Sequence, residues 1–406
     1  MSDALSLYTP NGYNCKVRHL GNLRDALGGA PPFGKDLQVH GALYPSTRLM
    51  IRKILSATGV FVAASASAFL LNLGLARFLP SSEYATYALL FNLMAFAAML
   101  ADAGITQKYL RFFLKQANGT YDWRRTCVRD LPVALALIGA CGLGFALIYP
   151  GIAPGAVALV MLAALGFTLT QWFAALLRVA SQAWGVAFLQ RGFPFLMLAT
   201  FPLLVALPGD MAFRASAAFL LANLLTVTAA ALACGRALRG GTRTLPPESA
   251  RDGRSLFILL ASSSLLFYGD KFIVARFCSP EDFAAYCLIA AFFQVFDLLN
   301  ASLGFLLPSV YAQDASRSSR RIFQVSLVIL LPVAGLGIMG VPWIVAWGFP
   351  HFPAISVWVV VGLALVGIGK VLNGVVMANL NQHASSEALR GYTLLNLGLV
   401  AVGLGA

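Results

Sequence analysis

Charge is scarce in this chain. Asp, Glu, Lys and Arg make up 11% of its 406 residues, against 59% hydrophobic. A soluble domain carries about 25% charged residues, so an ordinary solvated globule is excluded. Histidine is scarcer still: His19, His40, His351 and His383 are too scattered to suggest a metal cluster. The six cysteines, Cys15, Cys127, Cys141, Cys234, Cys278 and Cys287, show no C-x-x-C pair and no zinc spacing. They read as small apolar packing residues. Only Cys278 and Cys287, flanking one short loop, are spaced for a bridge. No catalytic constellation emerges and no cofactor is implied. "GIGK" at 367–370 lacks the spacing and the Ser/Thr of a phosphate loop, and reads as helix packing. "NGT" at 118–120 fits a glycosylation sequon but falls in a basic connection, where it reads as a turn.

What is present is apolar runs of 18 residues or more, recurring from residue 54 onward. They predict an all-α integral membrane protein; open sheets cannot span lipid, and the runs are too long for barrel strands. Spans are expected at about 54–79, 82–105, 131–149, 154–178, 184–207, 212–235, 255–278, 282–307, 322–347, 353–378 and 388–406. Residues 1–49 carry no apolar signal core. They read either as a disordered cytoplasmic extension or as sequence ahead of a true start at Met50, the second being favoured because "MIRKIL" is a basic flank to the first span.

Lys and Arg set the orientation. Lys108, Arg111, Lys115, Arg124, Arg125 and Arg129 crowd the connection 106–130. Arg236, Arg239, Arg243, Arg251 and Arg254 crowd 236–254, and Arg317, Arg320 and Arg321 crowd 308–321. The alternate connections are short and nearly uncharged. The basic loops, and with them the N-terminus, are therefore expected in the cytoplasm. The formal charge of +13 is this bias plus attraction to anionic lipid headgroups, not a nucleic-acid signal.

The stretch 236–254 is Gly-, Pro- and charge-rich and reads as a linker between bundles at 50–235 and 255–406. A repeat supports that division. "ARFLPSSEYATYALL" at 76–90 and "ARFCSPEDFAAYCLI" at 275–289 share six of fifteen positions at an offset of 199. Both close one span and open the next on the same side, so the expected architecture is two parallel-repeat helical bundles, of six and of five or six spans. The second bundle is expected to be incomplete. Small residues at "AASASA", 63–68, and at Gly335, Gly337 and Gly340 are expected to mark close helix contacts.

Charges inside spans are expensive and should face protein or a wet cavity. Asp270, Lys271, Asp297 and Lys370 stand in spans of the second bundle and Arg191 in the first. Asp297 and Lys370 share a depth and are expected to pair. One reading makes these groups ion pairs that fix helix packing. The other, favoured for the set, makes them a polar cavity between the bundles where cations meet an anionic substrate. Neighbours on a helix point about 100° apart, so Asp270 and Lys271 should face differently, Lys271 toward the cavity. Asp102 and Arg178 stand at span ends, where capping or snorkelling is the simpler reading.

"NLGLARFLPSSEYATYALL" followed by "LADAGITQKYLRFF" resembles the polysaccharide-biosynthesis membrane transporters of the O-antigen flippase (Wzx) type. The matching positions are Ala76, Arg77, Tyr84, Tyr87, Asp102, Gly104 and Arg111, with Ala85 where that family often has Gly. "YGDKFIVARFCSPEDFAAYCL" resembles its seventh helix, with the charge pair at Asp270 and Lys271. The resemblance spans about residues 50–380 and implies membership of the multidrug/oligosaccharidyl-lipid/polysaccharide exporter (MOP) superfamily. It implies twelve or more spans, a central cavity, and flipping of polyprenyl-diphosphate-linked oligosaccharide across the bacterial cytoplasmic membrane. On that reading Lys271, Arg191 and Lys370 meet the diphosphate, and Asp270, Asp297 and Asp102 are coupling or charge-pair residues. The implied partners are the lipid-linked oligosaccharide, membrane lipids, a glycan polymerase and assembly proteins. A cation-coupled drug or metabolite antiporter of the same fold stays open. So do a membrane glycosyltransferase or glycan polymerase, against which the short outer loops count, and a non-transporting scaffold.

Overall fold

The computed structural model describes residues 47–115, 122–179, 183–206, 208–237, 248–313, 319–383, 391–395 and 398. The chain divides into residues 1–50 and 51–406; of the former only 47–50 are described, as the first turn of a helix. The helices are α1 Thr47–Phe78, α2 Ser81–Asp102, α3 Ile105–Lys115, α4 Trp123–Ile148, α5 Pro154–Val179, α6 Ala183–Ala199 and α7 Phe201–Ala206. They continue as α8 Met211–Ala237, α9 Glu248–Phe277, α10 Pro280–Phe292, α11 Gln294–Gln313, α12 Ser319–Gly348 and α13 Val357–His383. No strand occurs among the described residues.

Apolar runs coil because backbone groups in hydrocarbon must find partners within the segment. The helices start where the sequence supplies a cap. Asp122 accepts from Arg125 N at 3.1 Å ahead of α4. Ser279 accepts from Asp282 N at 3.1 Å ahead of α10, with Pro280 in the first turn. Among the described residues, by length and composition, eight helices can cross a membrane alone, and a ninth crossing is available if α10 and α11, bent by 48°, act as one. The apolar part of α6, Gly185–Ala199, is shorter.

Ten of the expected spans correspond to described helices. The eleventh, 388–406, lies mostly outside the described residues, with 391–395 helical. So do residues 1–46, and 238–247 of the linker. Three expectations need correction. The connection 106–130 is not a plain loop: it holds α3, and α4 starts at Trp123 instead of 131. Ile105, Tyr109 and Leu110 are buried on one face of α3, an i, i+4 signal obscured by the surrounding Lys and Arg. The span expected at 184–207 breaks at Thr200, whose N–H and hydroxyl turn back to Met197 O. The span expected at 282–307 breaks at Phe293.

Small residues let helices touch. A Cβ at Gly166 of α5 would lie 3.1 Å from Asn223 Cβ of α8. In the second bundle a Cβ at Gly367 of α13 would overlap the Phe296 ring of α11, and one at Gly374 would overlap Asn300. Thus "GIGK" is a packing element. Gly337 meets Phe293, but Gly335 and Gly340 face open space, so only one of those three marks a close contact. Cys278 and Cys287 are free thiols, the first exposed and the second buried.

The first bundle has a dry aromatic core. Tyr87 lies 5.5 Å from Phe219, and Phe91 lies 6.0 Å from Phe219 and 6.2 Å from Phe193, centroid to centroid. The bundles meet along α2, which packs on α9 and α10, with Phe96 against Phe272 at 5.3 Å.

Both ends of the assembly carry contacts across that seam. At the end where Lys108, Arg124, Arg129 and Arg236 gather, the basic end, α2 closes with Ala103 and Gly104 at φ 47° and 72°. This left-handed corner is one that glycine adopts readily. It presses on α9, where a Cβ on Gly104 would fall 2.9 Å from Phe257 N. At the opposite end Arg77 Nη1 donates to Gly348 O at 2.7 Å, and His351 Nε2 lies 3.0 Å from Ala76 O. There too Tyr149 Oη donates to Phe272 O at 2.7 Å. Gly348 and Tyr149 are themselves 199 residues apart, the offset of the sequence repeat. One partner of each contact thus stands at an equivalent position; the others, Arg77 and Phe272, do not, since the counterpart of Arg77 is Arg276.

Candidate functional site

Five of the six ionisable groups singled out in the sequence come together where α6, α9, α11 and α13 converge. α9 brings Asp270 and Lys271. Asp270 accepts a hydrogen bond from the Tyr286 hydroxyl of α10. Lys271 Nζ donates to Phe267 O at 3.1 Å and lies 3.4 Å from both Asp270 oxygens. The neighbours do diverge, but it is Asp270 that reaches the next helix, while Lys271 folds back along its own. The ammonium also sits 5.6 Å from the Tyr268 ring.

Asp297 lies in the first turn of α11, just past the break at Phe293, where the helix N-terminus favours a carboxylate. It pairs across to α13, with Lys370 Nζ 3.2 Å from Asp297 Oδ1. Lys370 is also 5.6 Å from the Phe267 ring. Arg191 approaches from α6 of the first bundle, stacked 5.2 Å over Phe61 of α1. It lies within Coulombic reach of Asp297 and Tyr268. Phe61 and Ala187 pack with Leu298 and Ala301 of α11, which fixes this meeting of the bundles independently of the charges. Three cations against two carboxylates leave the cluster positive by one formal charge.

The sixth residue, Asp102, is placed elsewhere. It closes α2 at the basic end, accepting from Thr106 Oγ1 at 2.6 Å, Thr106 N at 3.2 Å and Trp172 Nε1 at 2.9 Å. Nearby, Lys108 Nζ lies 2.5 Å from Asp130 Oδ2, and the Tyr109 hydroxyl donates to the same oxygen at 3.2 Å. Burial, reinforced by Cys127 and Asp130, pushes the Tyr109 hydroxyl well above its ordinary pKa and keeps it a donor. Arg178 Nη2 donates to Gln190 Oε1 at 3.1 Å, tying α5 to α6 beside Arg191.

Sequence reasoning missed Tyr268 and Tyr286, and the Lys108–Asp130 pair. Tyr286 was within reach: the repeat aligns it with Tyr87. Tyr268 carries no such mark, since its counterpart is Phe69.

Together these features define a multi-pass, all-α membrane protein of two parallel-repeat bundles with a mixed-charge, cation-rich cluster at their seam. Solved structures share that architecture. A crystal structure of MATE in complex with MaD5 superposes with a TM-score of 0.59 at 13% identity, covering 85% of each chain. A MOP superfamily transporter from Pyrococcus furiosus, described as having a binding pocket of reversed polarity, gives 0.54 at 13% identity. That match covers 86% of this chain and 93% of the other. At such identities the likeness is one of fold: the chain has the fold of MATE and MOP superfamily transporters. A scan against protein-family models finds no match, and a search of curated proteins finds none either.

Proposed function

We propose that this protein is a transporter that flips a polyprenyl-diphosphate-linked oligosaccharide across the bacterial cytoplasmic membrane by alternating access. The observation that carries this reading is the cation excess of Arg191, Lys271 and Lys370 at the seam of two bundles. A diphosphate must shed water to cross hydrocarbon, and fixed cations there replace that water. Arg191 from the first bundle and Lys370 from the second let one ligand bridge both, as a rocking mechanism requires. Lys271 adds a third cation, held in place by Asp270. The bundles at 50–235 and 255–406 are the rocking bodies and 236–254 their link. The N-terminus and the basic loops are cytoplasmic, and a glycan polymerase and assembly proteins receive the product outside.

A second reading is favoured by Asp270, held between Lys271 and the Tyr286 hydroxyl. A carboxylate so placed can exchange a proton or cation, as a coupled drug or metabolite antiporter would need. The P. furiosus transporter, with its pocket of reversed polarity, illustrates that pocket charge differs within this fold, and the excess here favours an anion. Deleting the gene separates the readings. The flippase predicts lipid-linked oligosaccharide accumulating on the inner leaflet with loss of surface glycan, restored by Lys271→Arg but not by Lys271→Ala at equal protein levels. Unchanged lipid-linked sugar with reduced efflux of cationic dyes would replace it by the antiporter.

A further inference from the structure

We infer that Asp297 is a built-in counter-anion: its carboxylate occupies the place of the substrate's anionic group and is displaced when substrate arrives. The inference rests on the anion-carrying reading of the cluster above.

Lys370 has one carboxylate at ion-pair distance among the described residues, Asp297, at 3.2 Å; Asp270 acts on it from farther off. The two sides of that pair are unequal. The Lys370 side chain is 16% exposed and that of Asp297 52%. The cation lies 5.6 Å from the Phe267 ring, while the carboxylate is the exposed side of the pair. An arriving anion therefore meets Asp297 first and competes with it for Lys370. Arg191, in Coulombic reach of Asp297 from the first bundle, is a second cation that the same carboxylate partly neutralises.

The location of Asp297 suits a movable group. It stands four residues past Phe293, where the chain bends by 48° between α10 and α11. A residue one turn beyond a bend swings more than one inside a straight helix when the angle changes. Its neighbours Leu298 and Ala301 pack on Phe61 and Ala187 of the first bundle, so a shift of Asp297 is felt across the seam. The closed pair Lys108–Asp130, 7% and 12% exposed, has no such open side. In the empty protein, then, Asp297 holds the Lys370 ammonium of the second bundle, with Arg191 of the first in Coulombic reach; a substrate anion takes its place on Lys370, and the carboxylate turns away.

The test uses the full chain in lipid nanodiscs and inorganic pyrophosphate as the probe, with affinity read by calorimetry and folding by melting temperature. Removing a competing carboxylate should raise affinity, which loss of a structural pair would not do. Asp297→Asn, and Asp297→Ser as a second neutral variant, should bind pyrophosphate about tenfold tighter than wild type. Lys370→Ala, alone or combined with Asp297→Asn, should lose that affinity. If both Asp297 variants fold and bind no tighter while wild-type binding still needs Lys370, the counter-anion role is overturned and the anion site stands. If neither wild type nor the Asp297 variants bind pyrophosphate, the anion-carrying reading falls and the counter-anion with it.

Discussion

α2 and the pair α10–α11 hold equivalent places in the two repeats, 199 residues apart, yet the chain bends at different points in each. In the first repeat the helix runs unbroken from Ser81 to Asp102 and turns at Ala103 and Gly104 into α3. In the second it bends at Phe293, whose counterpart is Met94, and then continues past Ala301 and Ser302, the counterparts of Asp102 and Ala103. The charges follow the bend. Asp270, Lys271, Asp297 and Lys370 have as their counterparts Leu71, Asn72, Ala98 and Gln171, none of them ionisable. Asn72 keeps the backbone contact of Lys271, donating to Ala68 O at 2.9 Å as Lys271 donates to Phe267 O at 3.1 Å. One copy of the framework has become a dry anchor and the other a polar, jointed wall. The first bundle still holds a buried ion pair, Lys108–Asp130, but at its basic end and closed on all sides, whereas Lys370–Asp297 is open on its acidic side.

That contrast orders the expected effects. Asp130→Ala leaves Lys108 buried without its carboxylate and should destabilise the protein by about 3–5 kcal/mol, visible as a steep fall in melting temperature. A mild effect would erase the distinction between the two pairs. Asp297→Ala should destabilise less than Asp130→Ala, because its carboxylate is half exposed, while pyrophosphate affinity rises as argued above. Tyr149→Phe and Arg77→Ala remove two contacts between the bundles at the opposite end. Each should lower stability by about 0.5–1.5 kcal/mol and make Cys residues placed near 273 and 76 easier to label; unchanged labelling would show that these contacts do not hold the bundles together. The smallest effect is expected at Cys278. An impermeant maleimide added to intact cells should label this exposed thiol with little functional consequence, and spare buried Cys234 and Cys287. Labelling only after the membrane is opened would reverse the proposed orientation.

Much of the scaffold was legible because bilayers impose one-dimensional rules. Length, hydropathy and the offset repeat are properties of the chain as written, and they located ten helical segments and the pairing of the bundles. Asp297 and Lys370 were matched by depth alone, since charges buried at one level in hydrocarbon have few other partners. The α3 helix was obscured because its buried face is three residues wide among cations. The break at Phe293 was obscured because no Gly or Pro stands there; at Thr200 the signal was Pro202, which lacks the N–H that a continuous helix would use.

The sequence by itself determined that the chain is a membrane protein, that its halves are parallel copies, and that ionisable groups stand inside its spans. Tertiary structure alone decided which charges share a site. Arg191 comes to Asp297 from 106 residues away, and Asp102, with the same apparent credentials, is turned to Thr106 and Trp172. The reason is geometric: hydropathy fixes how deep a residue lies, but not the direction it faces around its helix. That direction is set by which helices pack together, and here by glycines small enough to bring α11 against α13.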